Sequence, residues 1–136
     1  MKRTFLTVGI ACLFVFCITA AGAQTTLFLT TVEKALEANP LPAGQTIQRI
    51  KLTGDDSTTV LVVRIAKGGD TKAHAHTNNS ETVVIYKGAG QLTIDGKTLD
   101  VKSGSLHFNP KGLSHAFKNT GDGELIGICI FAPGLK

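Results

Sequence analysis

The chain has no tryptophan, one tyrosine (Tyr86) and seven phenylalanines in 136 residues. Aromatics this sparse leave no platform for stacking bases or a row of sugar rings. No basic run occurs either, so the sequence has no counterion-release drive and nucleic-acid binding is not expected. Cysteine is scarce: Cys12 and Cys17 lie near the start, and only Cys129 lies beyond them. One thiol makes no internal disulfide, so stability must come from packing, from a metal or from a partner subunit. Cys129 sits in the apolar run Leu125–Phe131, the setting of a buried, inert thiol. No Cys-x-x-Cys pair, no phosphate-binding glycine loop and no Ser/His/Asp or Cys/His nucleophile arrangement is present.

The first 23 residues contain no acid. Lys2 and Arg3 precede an apolar run from Phe5 to Ala20, followed by Ala21-Gly22-Ala23. A basic start, an apolar stretch and an Ala-x-Ala ending read as a secretory signal peptide over 1–23, cut after Ala23. An uncleaved anchor is the competing reading, since a bilayer takes about 20 apolar residues. The signal reading implies an exported protein, periplasmic or secreted, with no membrane attachment after cleavage. Removing Lys2 and Arg3 lowers the formal charge from +4 to +2, so the mature chain is close to balanced.

The length fits one domain. Thr30 and Glu33 have the spacing of a capping box, Val32, Ala35 and Leu36 follow at helical spacing, and Asn39-Pro40 stops the run. A short helix over Thr31–Ala38 and a linker at Leu41–Gly44 place an N-terminal helix and linker at 24–45. From Thr46 the period changes to two. Strands are expected at Thr46–Thr53, Thr58–Ala66, Lys72–His76, Glu81–Lys87, Gln91–Asp95, Lys97–Val101, Ser105–Asn109, His115–Lys118 and Glu124–Phe131. Asp95-Gly96 is a two-residue hairpin signal. The fold class is all-β, a sandwich or barrel over 46–136.

All four histidines fall between positions 74 and 115. His74 and His76, two apart on an expected strand, point to one face with Cα atoms roughly 6.5 Å apart. Glu81 follows after a polar turn, where a hairpin would bring its carboxylate beside the two rings. His115 opens a later strand. Three imidazole nitrogens and one carboxylate oxygen make a mixed site for a borderline divalent ion. Zinc could close it tetrahedrally; an ion preferring six ligands would keep two positions open.

The residues around these four form two patterns. Gly68, five residues, His74-x-His76, four residues, Glu81, six residues, Gly88 is the first. Gly104, five residues, Pro110-x-Gly112, two residues, His115, three residues, Asn119 is the second. Together they resemble both motifs of the cupin superfamily at every fixed position, with a compact interval from Ala89 to Ser103 between them. Ser105 is a departure, standing where many cupins carry Asp. The resemblance extends to small single-domain bacterial cupins through the capped helix ending in Asn39-Pro40 and the Gly44-Gln45-Thr46-Ile47 that follows.

The resemblance implies a double-stranded β-helix, or jelly-roll-like barrel, with a short N-terminal helix. It implies one divalent transition metal per chain (Fe, Mn, Ni, Cu or Zn) held by His74, His76, Glu81 and His115, with Glu81 as a base or a hinged ligand. It also implies dioxygenase-type oxidation of a small molecule and a homodimer formed through the sheets. A non-catalytic metal- or ligand-binding protein and a metal-dependent isomerase or lyase are the other functions considered. The glycines, Pro110 and Asn119 are read as turn-forming scaffold.

Side-chain alternation sets the remaining expectations. Val83, Ile85 and Phe117 are expected to line the substrate pocket. Alternation does not place Arg64, because its strand Val60–Ile65 is apolar on both faces; it is a candidate anion anchor at the pocket mouth, with a snorkelling surface position the preferred reading. Leu106 and Phe108 claim the core face of their strand, which predicts His107 facing solvent. Tyr86 is expected to point out of the barrel.

Overall fold

The structure, a computed structural model, describes residues 28–136. The expected signal segment lies outside the described residues. Among those described, no helix is long and apolar enough to cross a membrane.

Among the described residues, one helix, α1 (Val32–Ala38), precedes eight strands: β1 (Ile47–Gly54), β2 (Thr59–Ile65), β3 (Ser80–Lys87), β4 (Ala89–Ile94), β5 (Lys97–Lys102), β6 (Leu106–Asn109), β7 (His115–Lys118) and β8 (Leu125–Ala132). The N-cap is Thr31, whose hydroxyl accepts the Lys34 N–H at 3.2 Å, so the cap lies one residue later than the Thr30–Glu33 spacing predicts. The Asp95-Gly96 turn joins β4 to β5 with φ of 48° and 70°, the left-handed pair a tight hairpin requires.

All strand pairs are antiparallel. A five-stranded sheet runs β1-β2-β8-β3-β6, and a three-stranded sheet runs β5-β4-β7. Leu61, Val83, Ile85, Leu125, Cys129 and Phe131 from the larger sheet meet Leu92, Val101 and Phe117 from the smaller one to form the core. This is the expected all-β double-stranded β-helix. Gly88 joins β3 to β4 with φ +88°, and a Cβ there would collide with the Glu124 carbonyl oxygen. No other residue type fits that crossing.

Strand β2 explains an ambiguity in its sequence. Its inward row is Leu61, Val63 and Ile65. Val62 and Arg64 on the other face are also buried. Arg64 is neither at the pocket mouth nor at the surface, and this corrects both sequence expectations for it. Its guanidinium lies 3.4 Å from Asn39 O and 3.5 Å from Leu36 O, carbonyls at the end of α1, and 3.3 Å from Glu124 Oε1. A helix end leaves carbonyls without intrahelical partners, and a buried cation meets that need. Tyr86 points outward as expected, and its hydroxyl donates to Glu33 of α1.

The expected strand at Lys72–His76 does not form. Instead the segment runs beside β7 through isolated bridges, Asp70 to Lys118 and His74 to His115. Lys72 has φ +60°, which breaks any regular ladder. Asp70 Oδ1 accepts the Lys72 N–H at 2.8 Å and holds the turn.

Candidate metal centre

His74 and His115 sit directly opposite each other and exchange both backbone hydrogen bonds: His74 N to His115 O at 3.0 Å, and His115 N to His74 O at 2.9 Å. Backbone pairing therefore sets the separation of these two rings. His76 is tied by its carbonyl to Gly112 N–H at 2.9 Å, in the Pro110-Lys111-Gly112 turn. Its ring packs edge-on against Phe131, with centroids 4.9 Å apart. The three ring centroids lie 4.5 Å (74–115), 5.1 Å (74–76) and 5.3 Å (76–115) apart. One nitrogen from each ring falls within 4.8 Å of the others. These three histidines are positioned to hold a metal ion.

Glu81 enters from β3, where its Cα pairs with Phe131 on β8 and with Asn109 on β6. Its Oε2 is 2.9 Å from His115 Nε2 and 3.3 Å from His76 Nε2. Despite these distances, His76 Nε2 and Glu81 Oε2 are buried without a hydrogen-bond partner. Native interiors seldom leave polar atoms in that state. The atoms approach one another without the directionality of a hydrogen bond, as ligands around a common ion do. Three neutral imidazoles with a carboxylate alongside fit a borderline divalent cation.

The tautomer of His74 follows from its partner. His74 Nδ1 is 2.8 Å from the Lys72 carbonyl oxygen, which only accepts, so Nδ1 carries the proton and Nε2 the free lone pair. Burial holds the His76 pKa below the ordinary imidazole range, against the pull of Glu81. For Glu81, burial pushes the carboxyl up. Attraction to His115, the Cys129 thiol and His76 outweighs it, and the net pKa is lowered. The carboxylate is therefore ionised at neutral pH. Cys129 is buried as expected, and it also faces this site. Burial, then the Glu81 charge, raises its thiol well above the usual value.

The centre lies on the wall of a cavity of about 140 Å³ that opens to solvent. Val83, Ile85 and Phe117, the residues expected at a substrate pocket, line it. Arg49 on β1 also lines it and supplies the only lysine or arginine on the wall among the described residues. The sequence reading missed it. The available signal was its place in the Ile47, Arg49, Lys51 row, whose Cα partners are the inward Ile65, Val63 and Leu61.

His107 also departs from expectation. Leu106 and Phe108 are 69% and 57% exposed on the outer face of edge strand β6, while His107 and Asn109 face inward. The His107 ring lies 6.3 Å from that of His115 and 6.2 Å from that of Phe117, and its Nε2 is buried without a partner. This strand turns its polar face inward because Cα pairing sets Asn109 opposite Glu81 and His107 opposite Val83. Asn119 plays its expected turn role, and Ser105 also holds a turn. Asn119 Nδ2 donates to Ile65 O and Gly123 O, both at 2.8 Å, and Ser105 Oγ accepts the Lys102 N–H at 3.0 Å.

The arrangement agrees with comparisons to known proteins. A family model for the cupin domain matches residues 61–131. A curated relative, an uncharacterized protein of Aquifex aeolicus (strain VF5), is 33% identical over 60 residues, 44% of this chain and 49% of the relative. The chain thus matches about half the length of that relative. Among solved structures, a conserved double-stranded β-helix protein of Klebsiella pneumoniae has a TM-score of 0.70 at 20% identity, covering 78% of this chain and 90% of the other. A predicted oxalate decarboxylase of Thermotoga maritima gives 0.60 at 22% identity, with 64% and 80% covered. The cupin domain of Schizosaccharomyces pombe Cnp3 gives 0.63 at 19%, covering 69% of each chain. With the family model spanning more than half of its length and both His motifs gathered at one site, the chain belongs to the cupin domain family.

Proposed function

We propose that the protein is a metal-dependent enzyme acting on a small anionic molecule, with dioxygenase-type oxidation as the leading reaction. The observation that carries this reading is the convergence of three imidazoles and Glu81 on the wall of an open, mostly apolar cavity. One divalent transition metal per chain is held by His74, His76, His115 and Glu81, and supplies Lewis-acid or redox chemistry when bound. A purely structural site would be closed off from solvent.

The chain's own residues do the rest. Glu81 contributes a negative donor and, at Oε2, a group able to take a proton from substrate. Val83, Ile85 and Phe117 keep water away from the reacting end. Arg49 takes the anchoring role that the sequence reading gave to Arg64, because Arg49 is the cation on the cavity wall.

Oxygen consumption by protein of known metal content, challenged with small carboxylates, tests this reading. Oxygen-coupled turnover is expected, and Arg49→Gln should raise KM about tenfold or more while metal content stays unchanged. Turnover without oxygen would move the assignment to a lyase or isomerase, a reading favoured by similarity to the Thermotoga maritima protein described as a predicted oxalate decarboxylase. Tight binding without turnover would leave a metal- or ligand-binding protein.

Export is proposed from the leader, and N-terminal sequencing of the mature protein should begin at Gln24. A homodimer is proposed from the exposed Leu106 and Phe108 on the outer sheet face. Sedimentation should give a dimer, and Leu106→Asp should dissociate it.

A further inference from the structure

Asn109 and His115 meet behind the metal centre, 0% and 2% exposed. The Asn109 side-chain amide lies 2.7 Å from His115 Nδ1, and its other terminal atom, Oδ1, is buried with no hydrogen-bond partner. The two ends of an amide are distinguished only by their partners. With Nδ2 donating to Nδ1, the proton of a neutral His115 ring must sit on Nε2. Either orientation leaves the far end of the amide without a partner, so the choice rests on the ring. With Nδ2 donating, an N–H occupies Nε2, where His115 would need a lone pair to bind an ion.

Turning the amide keeps the 2.7 Å contact and reverses its sense. Oδ1 then accepts Nδ1–H, and Nδ2 moves to the position Oδ1 held. A second contact favours this sense. His115 Nδ1 also lies 3.4 Å from the Leu113 carbonyl oxygen, a group that only accepts. A proton on Nδ1 serves both oxygens, and a lone pair there serves neither. His74 already shows the same arrangement, with its Nδ1 against the Lys72 carbonyl.

We propose that Asn109 is a positioning residue of the metal centre: its side-chain carbonyl holds the Nδ1 proton of His115 and so commits that ring's Nε2 to the ion. Strand pairing places it for this task, because Asn109 and Glu81 are Cα partners on β6 and β3. The inference rests on the reading of His115 as a metal ligand.

Zinc is the probe, and Asn109→Leu and Asn109→Asp are the variants. Leu has similar size and cannot accept, whereas Asp keeps the shape and accepts more strongly. By chelator competition, Asn109→Leu should bind zinc about 10–100-fold more weakly, and Asn109→Asp should match the parent or exceed it. A merely space-filling role would leave Asn109→Leu closest to the parent. Side-chain ¹⁵N spectra at about pH 8 read the tautomer directly. The His115 proton should be on Nδ1 in the parent and in Asn109→Asp, with or without zinc. A proton on Nε2 in the zinc-free parent, or unchanged zinc affinity in a folded Asn109→Leu protein, overturns the proposal. Should Asn109→Leu fail to fold, the parent and Asn109→Asp spectra decide. If the parent binds no zinc, the metal reading fails by itself, and the zinc-free spectrum still settles which atom of Asn109 faces the ring.

Discussion

Glu81 and Arg64 are both buried charges, 5% and 8% exposed, and the barrel treats them in opposite ways. Arg64 lies on the outer face of β2 beneath α1. It meets backbone carbonyls at the helix end and the carboxylate of Glu124. Glu81 lies on the inner face of β3 against imidazoles, with an oxygen that no donor satisfies. Burial of charge is therefore common to a structural brace and a functional centre. Arg64 Nε and Glu81 Oε2 both lack a directional hydrogen bond; what separates the two groups is that Arg64 faces a carboxylate and backbone carbonyl oxygens, whereas Glu81 faces imidazole nitrogens able to share an ion with it.

The sharpest way to break this comparison is at the inner site. His76→Ala should lower metal affinity by more than about a hundredfold, beyond the loss expected from a supporting residue. Elemental analysis should find the purified variant nearly metal-free, and unchanged stoichiometry would remove the centre altogether. Arg64→Met is the matched change on the outer face. It should lower stability by about 1–2 kcal/mol in urea unfolding and leave metal content intact. A loss of metal there would show that the two regions are one coupled unit.

Acidity sharpens the contrast further. In the metal-free protein, burial holds the pKa values of His76 and His107 below the ordinary 6.5. The folded state thus resists a proton that the unfolded chain takes up. Their contribution to stability is full above pH 6.5 and is lost as pH falls from there through the folded values. Glu81, with its pKa held below 4.5, adds a second loss that begins only below that pH. Urea midpoints measured from pH 8 to pH 4 should therefore fall first in the imidazole window. A flat profile between pH 7 and pH 5 would contradict the buried placement of these rings. The smallest effect is expected from His107→Ala. This change should keep the metal within a few-fold and reduce the loss of stability on acidification. Loss of the metal would make His107 part of the centre.

Much of the site was legible in the sequence because motif residues keep their spacing whatever the surrounding folds do. His74, His76 and His115 gather as expected, even though the segment carrying the first two is not a strand. The bridge from His74 to His115 supplies the alignment that a ladder would have given. Orientation was harder to read. Alternation along a strand tells which residues share a face but not which face turns inward. In β6 the usual rule, apolar side in, reverses, because Leu106 and Phe108 lie on the outer sheet face while His107 and Asn109 flank the site. In β2 alternation disappears because α1 covers the outer face. That is why Arg64 was a poor candidate for the pocket and Arg49, one strand away, was overlooked.

By itself the sequence determined the class of fold, the turn positions and the four groups able to meet an ion. Those depend on local backbone chemistry and on residue identity at set intervals. Only the tertiary structure decided which arginine reaches the cavity, which way β6 faces, and that Asn109 stands behind His115. Those are relations between distant segments, set by strand register and by the helix laid across the sheet, and no local pattern encodes them.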